Sequence, residues 1–473
     1  MPRPTGSGKM TASAGHRRSG GSVKVRPETI LKYNARVPRY TSYPTAVQFH
    51  AGIGPAQYAD WLKRLPAGEP LSLYLHVPFC RSLCWYCGCN MRVVRRDGSL
   101  ESYTEMLLRE IALVAARLPG RMTVRHLHWG GGTPTALGPE RLARVMEALG
   151  ETFDLAADAE VAIEIDPRVL DEEMAAMLGR LGFNRASLGV QDLEPQVQQA
   201  VNRLQSWEET AGSAEMLRRH GVERLNIDLI YGLPHQDTAR VARTAIACAG
   251  LEPERFALFG YAHVPWMKPH QKLIDEASLP GPAERLALFA AAADCLAAAG
   301  YEAIGLDHFA RADSTFAAAA REGRLYRNFQ GYTDDPCRSL IGLGASSIGD
   351  LPQGLLQNHA EVRDYASAIR AGRLATARGV ARSADDALRG DIIERLMCDL
   401  RVDLAQVCAR HGADPAAFSE ELERLAPFVR DGLVRRAGSR FCITEDGRPI
   451  VRAVCALFDR HLLPARFAHA AAV

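Results

Sequence analysis

The sequence predicts an α/β fold in which a parallel sheet curls into a barrel or partial barrel, followed by a smaller helical domain. Three observations carry this. Short β-type runs alternate with helical patterns from residue 71 onward, the signature of βα units on a parallel sheet. Six or seven such units fit within about 235 residues, enough for a barrel or an open version of one. After residue 360 the β-type runs give way to amphipathic helices.

Composition sets the class. The chain has 473 residues, 47% hydrophobic and 24% charged, so it can bury a core. Fifty-seven basic against 55 acidic side chains leave +2, too balanced for a dedicated nucleic-acid binder. The best apolar stretch, 286–299, is broken by Asp294 and flanked by Arg285, so no membrane-spanning helix is expected. Seven of the eleven cysteines are scattered singly among apolar stretches, as small buried hydrophobes are. With no apolar export segment at the N-terminus, the expectation is a cytoplasmic protein with reduced thiols.

Residues 1–27 carry six Lys or Arg, no Asp or Glu, and several Gly and Ser, the composition of a disordered basic tail. Residues 28–70 form an N-terminal arm. Its stretch YNARVPRYTSYPT (33–45) has three Tyr, two Pro and two Arg, which suits an extended segment lying over another surface. The barrel and its extension take residues 71–359. The strand candidates are LSLYLHV (71–77), TVRHLHW (123–129), EVAIEID (160–166), RASLGVQ (185–191), RLNIDLIYG (224–232), RFALFGYA (255–262) and YEAIGL (301–306). Helical patterns lie between them near 101–117, 139–150, 169–180, 207–220, 238–249 and 283–299. Residues 360–473 form the C-terminal helical domain, with one short β-like piece around RFCITEDG.

The run Cys80-x3-Cys84-x2-Cys87-x-Cys89 begins just past the first strand, where such folds collect their chemistry. Thiolates at this density serve soft metals, zinc or an iron–sulfur cluster. Structural zinc sites usually pair two separated CxxC knuckles, and the sequence has no second one. A [4Fe–4S] cluster normally takes four cysteines; with three, one iron stays open to a small ligand.

HVPFCRSLCWYCGC resembles the CxxxCxxC motif of the radical S-adenosylmethionine (SAM) family, in the form found in oxygen-independent coproporphyrinogen III oxidases. RVPRYTSYPTA (36–46), LHWGGGTPT (127–135), IEIDPR (163–168), GFNRASLGVQD (182–192), NIDLIYGLP (226–234), FGYAHVP (259–265), GLDHFAR (305–311) and NFQGYT (328–333) match in family order. The likeness spans residues 33–460.

The resemblance implies a radical SAM partial (βα)6-type barrel and assigns roles by position. Cys80, Cys84 and Cys87 would bind the cluster, and SAM would chelate the open iron. Cys89 would stand near the substrate or a second cofactor as a non-ligating catalytic residue. Gly131, Gly132 and Thr133 match the stretch that receives the methionine part of SAM, where glycine permits close approach. Glu164 matches the carboxylate that contacts the first SAM, with Tyr74 and Ile348 beside it. The family holds two SAM molecules, and Tyr86, Gly132, Thr133, Gln191, Arg203, Asp228 and Ala262 match positions lining the second. Arg203 would hold its carboxylate.

The implied substrate, coproporphyrinogen III, has four propionates, two of which become vinyl groups with loss of carbon dioxide, giving protoporphyrinogen IX. The hydrogen removed sits on a carbon of negligible acidity, so a radical replaces a base, and an electron donor and an acceptor are required. A tetra-anion needs cationic partners, each charge-assisted bond contributing about 1.5–3 kcal/mol. Arg36 and Arg39 in the arm are the candidates, with Tyr40 and Tyr43 as hydrogen-bonding platforms and His308 and Tyr332 as further ones. The family is usually monomeric. The alternatives are a heme chaperone, which shares the three cysteines but typically lacks Cys89 and the PRYTSYP arm, and an electron-transfer or zinc protein with Cys89 as fourth ligand.

Overall fold

The computed structural model describes residues 27–462, apart from the side chains at 27, 30 and 31. Six strands, β1 (Leu71–Val77), β2 (Thr123–Gly131), β3 (Asp154–Ile165), β4 (Arg185–Gln191), β5 (Arg224–Tyr231) and β6 (Arg255–Gly260), lie side by side in chain order, all parallel. The helices Asp97–Ala115, Pro139–Thr152, Glu172–Arg180, Trp207–Arg219, Thr238–Ala249 and Pro282–Ala298 follow them in turn, giving the expected (βα)6 unit. Local chemistry starts several of these helices: Asp171, Ser206 and Asp237 each accept a backbone N–H of the first turn.

Side chains alternate across each strand, and here the alternation sorts chemistry. One set faces the helices and is apolar, such as Leu73, Leu127, Ile163, Leu188, Ile227 and Leu258, all in one buried core. The other set faces the lumen and is largely polar: His128, Glu164, Ser187, Asn226 and Asp228 line a single cavity. The lumen floor is a network of ion pairs. Glu160 meets Arg185 at 3.2 Å and Arg224 at 3.0 Å, and Glu254 meets Arg224 at 2.9 Å and Arg255 at 3.4 Å.

The barrel stays open. At the β1 edge the strand Leu340–Leu343 joins in parallel, followed by antiparallel strands Ile348–Leu351, Gly354–Asn358 and Thr376–Ala381. At the β6 edge His308–Arg311 and Tyr301–Ile304 add antiparallel strands, and the two outermost strands do not pair with each other.

This extension moves the expected boundary at residue 360. Helix Val362–Arg370 buries Tyr365 and Ile369 in the barrel core, and Thr376–Ala381 completes the sheet. A second core begins at helix Ala384–Asp399, and it is not all helical: three antiparallel strands (Arg401–Asp403, Val434–Ala437, Arg440–Ile443) pack with the helices. Strands of three or four residues are too short to show a period of two in sequence. The first half of the arm lies over this second domain, while its helix Pro55–Lys63 packs Tyr58, Trp61 and Leu62 into the barrel core. Tyr33 stacks on Phe428 at 4.2 Å, and Val37, Tyr40 and Tyr43 enter the second core.

The basic tail falls outside the described residues except for Pro27, which opens the helix Pro27–Tyr33; the C-terminal domain is described to residue 462. No helix among the described residues is long and apolar enough to cross a membrane.

Glu110, on the first barrel helix, locks the extension in place. Its carboxylate accepts the Gly344 N–H and Asn358 Nδ2 at 2.6 Å each, and Tyr365 Oη at 2.7 Å. Burial nevertheless pushes its pKa from 4.5 up to about 7, against the pull of those three bonds. Between these values the folded chain holds a proton that the unfolded chain has released, so stability falls as pH rises through that window. Glu110→Gln carries no such proton. Relative to that variant, the protein will lose up to about 3 kcal/mol between pH 4.5 and 8. Denaturant midpoints of both forms at pH 5 and pH 8 test this, and a pH-independent difference would refute it.

Candidate active site

The C-terminal ends of the six strands carry the expected cysteines and most of the expected SAM positions. After β1 the chain forms a two-residue strand, Phe79–Cys80, that pairs in parallel with Arg92–Val93 and so closes residues 81–91 into one loop. Three further contacts hold this loop down: the Trp85 N–H on Val201 O at 2.9 Å, Asn202 Nδ2 on Leu83 O at 2.8 Å, and Gln271 Nε2 on Tyr86 O at 2.9 Å. His270 Nε2 and Lys268 Nζ reach the carbonyls of Cys87 and Cys89 at 2.8 and 2.9 Å.

Within the loop, donors point at the sulfurs. Thr133 Oγ1 donates to Cys80 Sγ at 3.4 Å, while Arg203 Nη1 and Arg168 Nη2 approach Cys84 Sγ at 3.5 and 3.6 Å. The Cys87 thiol, hydrogen-bonded by Cys89, is drawn down to about 7, whereas burial pushes Cys80 up to about 12. Among the described residues no three His, Cys, Asp or Glu side chains gather tightly enough for a single metal ion. Three thiols that each take a different iron of a cluster need no such convergence, and soft thiol donors backed by N–H and O–H groups suit iron–sulfur chemistry.

The glycine run ending β2 is forced by its neighbours. A Cβ on Gly130 would meet Glu164 Oε1 at 2.7 Å, and one on Gly132 would meet the Phe79 carbonyl oxygen at 2.6 Å. Gly131 has φ +115°, a conformation that side chains resist. Its N–H donates to Glu164 Oε2 at 3.0 Å, and His128 Nε2 lies 3.4 Å from Oε1. Burial raises the Glu164 pKa, but the His128 bond and the Gly131 N–H outweigh it and hold the carboxyl ionised. Asp228 behaves oppositely: burial, then the charge of Glu164, push it to about 6 despite bonds from Ser187 Oγ (3.0 Å) and Asn226 Nδ2 (2.8 Å).

The remaining expected SAM positions divide. Tyr86, Gln191 and Ala262 line the lumen cavity of about 520 Å³ together with Glu164 and Asp228. Gln191 adopts φ +71°, turning the chain out of β4. Tyr74 sits beneath, its hydroxyl 3.0 Å from His76 Nδ1. Ile348 stands one strand further out, behind Gly342, the β1-register partner of Tyr74. Arg203 is buried behind the wall, where Asp166 at 3.3 Å, Gln205 at 3.0 Å and the Gly189 carbonyl hold it, and its Nε has no protein partner.

A second cavity of about 580 Å³ opens beside the first, and Arg39, Cys89, Gly260 and Ala262 border both. Arg36 lines this outer one, while His308 and Tyr332 line the lumen. Tyr40 and Tyr43 depart from the sequence expectation. Tyr40 donates to Asp459 Oδ2 at 3.1 Å and Tyr43 Oη accepts the Arg460 N–H at 3.0 Å, so both fasten the arm to the C-terminal domain and border neither cavity. The sequence reading missed Asp166 and His128. Both sit in quoted blocks, and His128, two residues before Gly130, shares its lumen-facing parity. It also missed Arg285, Arg327, Arg448 and Arg452, which line the outer cavity and carry no local signal.

Residues 74–245 match the family model for the radical SAM superfamily, and residues 383–450 that for the HemN C-terminal domain. The chain is 51% identical over 450 residues to the oxygen-independent coproporphyrinogen III oxidase of Bradyrhizobium diazoefficiens, covering 95% of this chain and 100% of that protein. It is 42% identical over 436 residues to the Escherichia coli K12 protein of the same name, covering 92% and 94%. The solved coproporphyrinogen III oxidase (HemN) from Escherichia coli, described as a radical SAM enzyme, superposes with a TM-score of 0.86 at 39% identity, over 90% of this chain and all of that one.

The packing around Gly132 yields a test independent of any ligand. Gly132→Ala drives a Cβ into the Phe79 backbone and will destabilise the chain by about 1–3 kcal/mol. Gly150→Ala, in helix Pro139–Thr152 with open space around it, will be neutral or stabilising by about 1 kcal/mol. Denaturant unfolding of the two variants reads the contrast, and equal midpoints would contradict the close approach.

Proposed function

The chain belongs to the oxygen-independent coproporphyrinogen III oxidases, and on that premise we propose how its residues divide the reaction between them. The protein is a radical SAM oxidoreductase of heme biosynthesis, acting on coproporphyrinogen III with SAM and a [4Fe–4S] cluster. The observation that carries the assignment is the closed 81–91 loop with the strand Phe79–Cys80 before it, which together place Cys80, Cys84 and Cys87 at the strand ends beside a lumen lined with Glu164 and Asp228.

Cys80, Cys84 and Cys87 hold the cluster, supported by the Thr133 hydroxyl and the Arg168 and Arg203 guanidinium groups at the sulfurs. When bound, the cluster and SAM would supply the one-electron chemistry needed to remove a hydrogen of negligible acidity from a propionate side chain. Glu164, kept ionised, and Gly131 would receive the hydroxyl and amino groups of SAM, with Tyr74 and Ile348 as its further neighbours. A second SAM would be held by Tyr86, Gly132, Thr133, Gln191, Asp228 and Ala262, with Arg203, whose Nε has no protein partner, as the cation for its carboxylate. The support for a second SAM is that Tyr86, Gln191, Asp228 and Ala262 line the same lumen cavity as Glu164. Cys89 stands where the two cavities meet and acts on the substrate side, while Arg36 and Arg39 draw in propionates, with His308 and Tyr332 in the lumen wall. Tyr40 and Tyr43 serve indirectly, by seating the arm. The reading takes the protein as a monomer, as the family likeness implies, and requires an external electron donor and an acceptor.

An anaerobic assay of cluster-reconstituted protein with SAM, a strong reductant and coproporphyrinogen III will give protoporphyrinogen IX with about two 5′-deoxyadenosines per product. Cys89→Ser will keep its iron and lose product, whereas Cys84→Ser will lose both. Iron retained by Cys84→Ser would overturn the ligand assignment. Arg39→Ala will raise KM about tenfold, one charge-assisted bond, with a smaller change in kcat; an unchanged KM would remove Arg39 from the substrate site.

A further inference from the structure

The outer cavity is unusual for the positive charge that gathers around it. Six arginines border it, Arg36, Arg39, Arg285, Arg327, Arg448 and Arg452, against a single carboxylate, Asp307. They come from parts of the chain far apart in sequence: the arm, helix Pro282–Ala298, the short strand Tyr326–Asn328, and the turn and helix at residues 448–455 of the C-terminal domain.

Buried cations repel and lose hydration, so clustering them without anions is costly. The cost is visible here. Burial, and then the nearby Arg39 charge, push Arg452 down to about 10, and burial with Arg39 also lowers Arg285. The Nε and Nη1 atoms of Arg327 are shut off from solvent and have no protein acceptor. Arg285 gives Nη2 to the Tyr261 carbonyl at 2.9 Å, which spends one of its five N–H groups. Arg448 gives Nη1 to the Gly305 carbonyl at 2.6 Å and pairs Nε and Nη2 with the exposed Glu445 at 3.3 and 3.2 Å, a partner that an incoming carboxylate would replace. Tyr231, Phe259 and Phe289 supply apolar wall between the cations. Asp307 is engaged by His308 Nδ1 at 2.8 Å and does not neutralise the set.

We infer that this chamber is a polycarboxylate receiver in which Arg285, Arg327 and Arg448, with Arg39, hold the propionates that are not reacting and so select a macrocycle by its number of carboxylates. The inference rests on the proposed reaction and deepens it. Each turnover of a propionate to a vinyl group removes one negative charge, so the site that grips a tetra-anion holds the dianionic product less tightly. The C-terminal domain, through Arg448, thereby takes a direct part in substrate choice rather than only bracing the barrel.

Anaerobic equilibrium dialysis tests this without turnover. Coproporphyrinogen III and protoporphyrinogen IX are the probes, each oxidised afterwards and measured by fluorescence, against cluster-loaded protein without reductant. The parent protein will bind the tetracarboxylate at least tenfold more tightly than the dicarboxylate. Arg327→Gln and Arg448→Gln will each weaken tetracarboxylate binding about tenfold and shrink that preference, and Arg448→Lys will recover part of it. Iron content and SAM affinity, read on the same samples, will stay at parent values. Arg448 pairs with the exposed Glu445, and its variant serves if Arg327→Gln fails to fold. Parent-like binding by folded Gln variants, or equal binding of the two probes, would overturn the receiver while leaving the proposed reaction standing. Failure of the parent protein to bind coproporphyrinogen III would overturn the reaction itself, and the receiver with it.

Discussion

The period of two along six parallel strands is the constraint from which the rest follows. In an ordinary parallel sheet both faces are apolar. Here the helix-facing set is apolar and the lumen-facing set carries Glu160, Glu164, Arg185, Asn226, Asp228 and Arg255. A slip of one residue in any strand would drive carboxylates into the helix layer and apolar side chains into the lumen. The core that stabilises the barrel and the cavity that does chemistry are therefore two sides of one register. The ion pairs around Glu160 close the floor, and the strand ends leave the top open for ligands.

At that open end the structure spends backbone, not side chains, to bring groups together. Gly130 and Gly132 let β2 approach Glu164 and Phe79 more closely than any other residue would allow. The Gly131 N–H then fixes Glu164, and the Thr133 hydroxyl is delivered to Cys80. Arg203 spans the other side, touching Asp166 and Cys84, so that β3, the segment after β4 and the cysteine loop share one buried cation. Such mutual fixing sets the geometry before a ligand arrives, and preorganised groups lose least on binding.

The arm and the C-terminal domain supply what the barrel lacks. Tyr33, Tyr40 and Tyr43 seat the arm on the second core, and this seating carries Arg36 and Arg39 to the edge of the outer cavity. Positive charge is thereby assembled at a seam between three segments, none of which holds enough of it alone.

The strand and helix order, the strand ends as the seat of chemistry, and the cysteine loop were legible in the sequence because each is a local pattern: period two, period 3.6, and thiols within ten residues of one another. Cys80, Glu164 and Asp228 could be found this way because they lie on or next to strong strands. Tertiary structure alone decided the rest. The edge strands from Leu340 to Ala381 are short and gain their identity from the neighbours they pair with, so the domain boundary lies past residue 380. Tyr40 and Tyr43 looked like ligand platforms because their composition suits that role, but burial against Asp459 and the Arg460 backbone gave them another. The arginine chamber joins Arg39 to Arg448 across most of the chain, and no window of sequence contains both; a charge cluster of that kind exists only once packing has brought its members within reach of one another.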